Sequence, residues 1–215
     1  MSKKTLNGNQ LLRMPAYLVL LNKLKNTGLE FVSTQTIADC LKTNNEKVRK
    51  DIAAVSSEDG IPNKGRRIST LIDDIELILG YKTQNKAILI GVGNLGKAIL
   101  KFKGFENYGL EIVAGFDTNP QVIGKEIKGH IIEDFNLLDK SAVSKYNASI
   151  AILCVPEDQA QEVANKLINC GISGIWNFAA PSIIVPQNVL VSNVNIAASL
   201  SALSHELYLK ELEER

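Results

Sequence analysis

AILIGVGNLGKAIL, residues 87–100, runs from a short apolar strand through a glycine-rich turn into a helix, and the larger part of the chain is read outward from it. Gly91 can take the tight turn, Gly93 lets the backbone approach a pyrophosphate with no Cβ in the way, and Gly96 lets the new helix lie close on its strand. Val92, Asn94 and Leu95 complete the motif at the opening of the helix. Unpaired N–H groups and the positive end of the macrodipole favour an anion there without any basic side chain. Such a motif is weak evidence alone. Here a second apolar strand, residues 111–116, ends in Asp117, an acid placed to accept both ribose hydroxyls of an adenosine and to repel a 2′-phosphate. NAD(H) is therefore favoured over NADP(H). The alternative is a glycine turn in an α/β protein that binds nothing.

Beyond this stretch, strands alternate with helices. SIAILCV, residues 149–155, is a buried strand ending at Pro156; a helix over 160–170 and a strand over 174–178 follow. This is the pattern of βαβ units in a doubly wound parallel sheet of Rossmann type. Ligands of open α/β sheets lie outside the carboxyl ends of the strands, so Pro156, Asn177, Phe178, Ala179 and Ala180 are expected to face the cofactor opposite the glycine turn. Loop packing explains Pro156 and Phe178 equally well from spacing alone. Residues 181–195 are extended, and 196–212 form a helix with Ile196, Leu200, Leu203 and Leu207 apolar. That helix packs on its own domain or on a partner subunit, and both readings stand.

Before residue 82 the pattern is helical. Pro15 opens a helix with Tyr17, Leu18, Leu20, Leu21 and Leu24 on its apolar face. Ser33 or Thr34 caps a second helix over 35–41, and a polar turn leads to a third over 46–55. Val48, Ile52 and Val55 of the third face inward while Lys47, Arg49 and Lys50 point elsewhere. Two short helices joined by a polar turn, the second basic, is a helix-turn-helix pattern, shared with any small helical bundle bearing solvated lysines. EDGIPNKGRRIST, residues 58–70, carries Lys64, Arg66 and Arg67 among glycines and proline, as expected of a β-hairpin wing that reaches a DNA backbone or minor groove. A fourth helix covers 71–80. The expected organisation is a winged helix-turn-helix domain over 1–82, a nucleotide domain over 83–193 and a terminal helix over 194–215.

Composition agrees with two small soluble domains. Residues 1–82 hold 13 Lys and Arg against 9 Asp and Glu, whereas the rest holds 11 against 14, so the N-terminal part is the better partner for a polyanion unless the asymmetry is chance. No apolar run approaches a membrane span, and the first ten residues lack a signal-peptide core, which makes the cytoplasm the expected location. Cys40, Cys154 and Cys170 are far apart and read as small core residues, with no metal site expected.

The chain resembles the Rex family of bacterial redox-sensing transcriptional repressors over nearly its whole length. The likeness is carried by RMPAYL at 13–18, VRKDIAAVS at 48–56, the GxP of Gly60 and Pro62 with Gly65, GVGNLGKAIL at 91–100, Phe116–Asp117, VPEDQAQEVA at 155–164 and IWNFA at 175–179. It implies a repressor that binds NADH at the glycine motif, leaves operator DNA when it does so, and forms a homodimer by exchange of the terminal helix. The DNA-facing residues expected on this reading are Arg13, Ser33, Lys47, Arg49, Lys50, Lys64 and Arg66. The chain departs from the family pattern at Arg66–Arg67, where the wing usually carries an aromatic, at Ala180 before Pro181, at Glu46 on the recognition helix, and at Asn195, where an acid often stands. A small NAD-dependent dehydrogenase is the alternative, and a CoA-binding or structural dinucleotide domain a third. Against an enzyme, His130 and His205 are the only histidines and neither lies in a motif.

Overall fold

The computed structural model describes residues 6–83 and 85–213, the side chains of Ile196, Ser199, Ala202 and Glu213 excepted. The described residues form two compact units: one holds the chain up to residue 83 with Asn107–Gly109, the other residues 85–106 and 110–213.

The first unit is four helices and two short strands. Helix α1 (Gly8–Asn26) starts a full two turns before Pro15, because Asn7 and Gln10 form a capping box whose side chains satisfy each other's backbone N–H groups. Pro15 therefore lies inside the helix rather than at its start. Strand β1 (Phe31–Val32) leads to α2 (Thr34–Cys40), capped by Ser33, and α3 (Asn45–Val55), capped by Asn44. Strand β2 (Arg66–Arg67) and α4 (Ile68–Leu79) complete the unit. The expected wing hairpin is a turn instead: only Ile61 and Gly65 bridge across it, and β2 pairs with β1. Gly65 sets this pairing. Its φ is +89° and a Cβ there would stand 2.2 Å from the Val32 carbonyl oxygen, so only glycine brings the wing this close to β1. Met14, Tyr17, Leu21, Ile37, Val48, Ile52, Leu71 and Ile75 form the core. Cys40 is exposed, not part of that core, because α2 turns Ile37 and Ala38 inward and position 40 falls on the outer side.

The second unit is a seven-stranded sheet with helices on both faces. Its elements are β3 (Asn85–Ile90), α5 (Asn94–Lys101), β4 (Leu110–Asp117), β5 (Glu126–Ile127), β6 (His130–Asp134), α6 (Lys140–Tyr146), β7 (Ile150–Leu153), α7 (Ala160–Asn169), β8 (Gly174–Asn177), β9 (Leu190–Asn193) and α8 (Ile196–Glu213). The strand order is β5-β6-β4-β3-β7-β8-β9, parallel throughout except for β5. With β3 counted first, the six parallel strands run 3-2-1-4-5-6, the Rossmann order. Ile88 and Ile90 of β3 pack into one core with Val163, Ala164 and Leu167 of α7, and Ala87 and Leu89 into the other with Ile99 and Leu100 of α5. A strand buried on both faces must be a continuous apolar run, which is why residues 87–90 alternate nothing. Strand β6 lies in a stretch to which the sequence pattern assigns no element, and β9 in the stretch read as extended chain. Along α8, Leu200, Leu203, Leu207 and Tyr208 are each more than half exposed, an apolar surface with no cover of its own.

Candidate functional site

The register aligns the carboxyl ends of the parallel strands. Ile90 pairs with Phe116 and with Leu153, Leu153 with Asn177, and Asn177 with Asn193. One residue further stand Gly91, Asp117, Cys154, Phe178 and Val194, in a row across the topological switch point where β3 parts its neighbours. A cleft of about 250 Å³ opens there, with Gly91, Gly93, Asp117, Asn119, Pro156 and Gln159 among its walls.

The three glycines differ in what they serve. Gly91 has φ +90°, and a Cβ would meet the Cys154 carbonyl oxygen at 2.5 Å; a Cβ on Gly96 would stand 2.0 Å from the Gly91 carbonyl oxygen. The fold itself demands both. A Cβ on Gly93 would meet nothing within 4 Å, and Gly93 has φ −70°, a conformation open to any residue. Neither packing nor backbone conformation demands a glycine at 93, and the space it leaves is open to something else. Gly93 is the N-cap of α5, which no side chain caps, and Asn94 and Leu95 in its first turn are exposed. These open donors at a helix N-terminus suit a pyrophosphate.

Asp117 holds the turn from the other side. Its Oδ2 accepts the Val92 N–H at 2.6 Å and its Oδ1 the Asn119 N–H at 2.8 Å. Each oxygen keeps a lone pair for a ribose hydroxyl. Val92, expected to touch cofactor, is instead wholly buried with its N–H taken, and it shapes the turn. Asn177, also expected to face the cofactor, has no exposed surface, and its carboxamide bonds within the protein and orders the 178–180 loop. Phe178, Ala179 and Ala180 line a neighbouring pocket of about 240 Å³. Cys154, which reads as a core residue, also lines the cleft, as do Asn119 and Gln159, of which only Asn119 carries a sequence signal, the Asx-type turn of Asp-Thr-Asn-Pro after β4. Burial pushes the Cys154 thiol up to about 12, so it stays protonated. Among the described residues no cluster of His, Cys, Asp or Glu could hold a metal, and no helix is long and apolar enough to cross a membrane.

In the first unit the basic residues divide into free and engaged. Lys47, Arg49 and Lys50 are exposed on α3. At 100° per residue Lys47 and Arg49 lie on opposite flanks, with Lys50 between them. Lys50 pairs with Glu46 at 3.1 Å, both ends in solvent, so the acid offsets part of the charge of this face. Lys64 is exposed over the Phe31 ring, 5.7 Å from its centroid, and Arg67 lies over the same ring at 4.9 Å while pairing with Glu30. Phe31 and Arg67 join the candidate surface from outside the expected set. Ser33 spends its hydroxyl on capping α2.

Arg13 and Arg66 are turned inward. Nε and Nη2 of Arg13 donate to Asp51 Oδ2 at 2.6 Å and Oδ1 at 2.8 Å, and the Tyr17 hydroxyl donates to Oδ2 at 2.8 Å. Asp51 is only 2% exposed, and a buried carboxylate cannot stand unpaired, which is why the half-exposed arginine is held against it. Burial would raise the Asp51 carboxyl, but the donors from Arg13 and Tyr17 hold it below the usual carboxylate range. The Tyr17 phenol is pushed up to about 12 by burial and by the same carboxylate. Arg66 donates through Nη1 to the Ser56 hydroxyl at 2.8 Å and to the Glu58 carbonyl, tying the wing to the end of α3.

Two family models match: "CoA binding domain" over residues 82–181 and "Putative DNA-binding protein N-terminus" over residues 10–53. The redox-sensing transcriptional repressor Rex of Treponema denticola is 38% identical over 192 residues, covering 89% of this chain and 90% of that one. The Rex repressor of Caldicellulosiruptor bescii is 35% identical over 214 residues, covering 99% and 97%. Among solved structures, RSP, a Rex-family repressor, in complex with β-NAD⁺ and operator DNA, is 28% identical and superposes with a TM-score of 0.88 over 98% of this chain and 96% of that one. RSP in complex with β-NADH gives 0.84 over 97% of each. A helix-turn-helix unit followed by a Rossmann sheet with a dinucleotide cleft is the build of a nucleotide-responsive transcriptional regulator. The chain belongs to the Rex family of redox-sensing transcriptional repressors.

Proposed function

We propose that this protein is a transcriptional repressor that binds operator DNA through its first unit, over residues 1–82, and reads the NADH/NAD⁺ ratio in the sheet domain of residues 83–193, NADH causing release. The observation that carries the reading is the unneeded glycine at 93, which leaves a cradle over an uncapped helix N-terminus beside Asp117. Gly91, Gly93, Asn94, Leu95, Gly96 and Asp117 hold the adenosine and pyrophosphate. Pro156, Phe178 and Ala179 face the nicotinamide. Both cofactor forms share the first set, so discrimination falls to the second, where the walls around 178–181 and 193–195 hold no carboxylate. A cationic oxidised ring is costly to bury there and a neutral dihydronicotinamide is not.

Lys47, Arg49, Lys50 and Lys64 are the DNA contacts, with Arg67 added and Arg13 and Arg66 supporting α3 and the wing. Helix α8, at 194–215, covers its leucines in a homodimer, which then prefers a two-fold symmetric site. The protein works in the cytoplasm without catalysing a reaction. The test is a titration of a labelled duplex, selected by this protein from a randomised pool, with and without NADH or NAD⁺. Release by NADH at concentrations where NAD⁺ does not compete is the expected result. Oxidation of NADH on incubation with a panel of carbonyl compounds would point to the dehydrogenase reading instead.

A further inference from the structure

Asn177 is the most deeply buried polar side chain described, and both ends of its carboxamide are bonded twice. Nδ2 donates to the Ala180 carbonyl at 2.9 Å and to Asn193 Oδ1 at 2.7 Å. Oδ1 accepts the N–H of Ala179 at 2.9 Å and of Ala180 at 3.3 Å. Its backbone carbonyl takes the Val194 N–H at 2.8 Å. Two residues on, Asn195 Oδ1 caps the first turn of α8 by accepting the Ala198 N–H at 3.0 Å. The pocket of about 240 Å³ beside them has Phe178, Ala179 and Ala180 on one wall and Asn193, Val194 and Asn195 on the other.

We propose that the Asn177–Asn193 bond makes the 178–180 loop and the entrance to α8 one rigid body, so that this pair is the positioning device through which NADH acts on α8. This rests on the functional reading above. A buried amide with all four bonding positions filled has no second low-energy arrangement, because rotating it strands several groups at once. The loop therefore cannot shift against the end of β9 without breaking this bond. A ligand that fixes the loop fixes the first turn of α8 with it. Among the described residues, the side-chain hydrogen bond that links the two walls is the one to the Asn193 oxygen, on an exposed residue whose truncation leaves the bonds of Asn177 to its own loop in place.

The experiment measures, on the full-length protein and at saturating NADH, the factor by which NADH weakens binding of a duplex selected from a randomised pool, in wild type, Asn193→Ala and Asn193→Gln. Glutamine keeps a neutral amide acceptor, whereas alanine removes it. In Asn193→Ala the coupling factor should fall about tenfold or more, as expected when about 1.4 kcal/mol of coupling is lost. Asn193→Gln should restore it. Hydrogen exchange on the wild type gives a second readout: NADH should protect the Ala179, Ala180 and Val194 amides together. Equal coupling in wild type and Asn193→Ala overturns the proposal, as does loss of NADH affinity in step with thermal stability, or protection of 179–180 that leaves Val194 unchanged. A wild-type protein that NADH does not release overturns the functional reading, and the proposal with it.

Discussion

The fold demands two of the three glycines in the turn and leaves space at the third, and a substitution at each tells them apart. Gly93→Val should fold with wild-type thermal stability, bind duplex DNA, and ignore NADH, because its side chain enters open space that the pyrophosphate would occupy. Calorimetry with NADH and a DNA titration in its presence check this; release as in wild type would place the sensing site elsewhere. Gly91→Ala and Gly96→Ala, by contrast, drive a Cβ into backbone oxygen. Asp117→Ala removes the acceptor of the ribose hydroxyls and frees the Val92 N–H. Hydrogen bonds to a charged group contribute about 2 kcal/mol, so NADH affinity should fall about thirtyfold and the preference over NADPH should shrink. An unchanged preference by calorimetry would show that Asp117 does not meet the ribose.

Helix α3 is held by one buried charge. Asp51 joins it to Arg13 and Tyr17 of α1, and Asp51→Asn removes the charge from these hydrogen bonds while the half-exposed arginine left behind can turn to water, costing about 1–2 kcal/mol at neutral pH. The folded carboxyl lies below its unfolded value, so its contribution is present above about pH 4 and is lost as pH falls through the lower, folded value. Urea unfolding of wild type and variant should therefore converge below pH 4. Circular dichroism is the right probe, since the sole tryptophan, Trp176, belongs to the other unit. A gap that persists in acid would assign the loss to packing. In the wing, Lys64 is exposed and bonded to nothing that consumes its charge. Lys64→Ala should weaken DNA binding on all sequences alike and flatten the salt dependence by about one unit. An unchanged slope would remove Lys64 from the interface.

At the scale of the whole molecule, the response is a coupling between two ligands. NADH can drive release only by its differential affinity for the form that does not bind DNA. The coupling is reciprocal, so saturating duplex should weaken NADH binding by the same factor by which NADH weakens DNA binding. Fluorescence titration of NADH with and without duplex measures the first factor, and DNA titration the second. Unequal factors would mean that a third state or a change of assembly intervenes.

The sequence by itself determined what local chemistry determines. Three spaced glycines after an apolar strand, an acid at the end of the next, and helical spacing of Val48, Ile52 and Val55 each carry their physics within a few residues. From these the sheet class, the glycine turn and the basic third helix were legible. Tertiary structure alone decided which polar groups are spoken for. Arg13 meets Asp51 across 38 residues, and only the burial of that carboxylate turns the arginine inward. Asn177 lies in a short strand whose partner Asn193 arrives 16 residues later, so spacing could not tell a ligand contact from a brace. Likewise β6 is five residues with an uneven burial pattern, and it is a strand because β4 offers it an open edge. A strand or an ion pair of this kind is set by the desolvation of groups far apart in the chain, and that cost exists only once the core has closed around them.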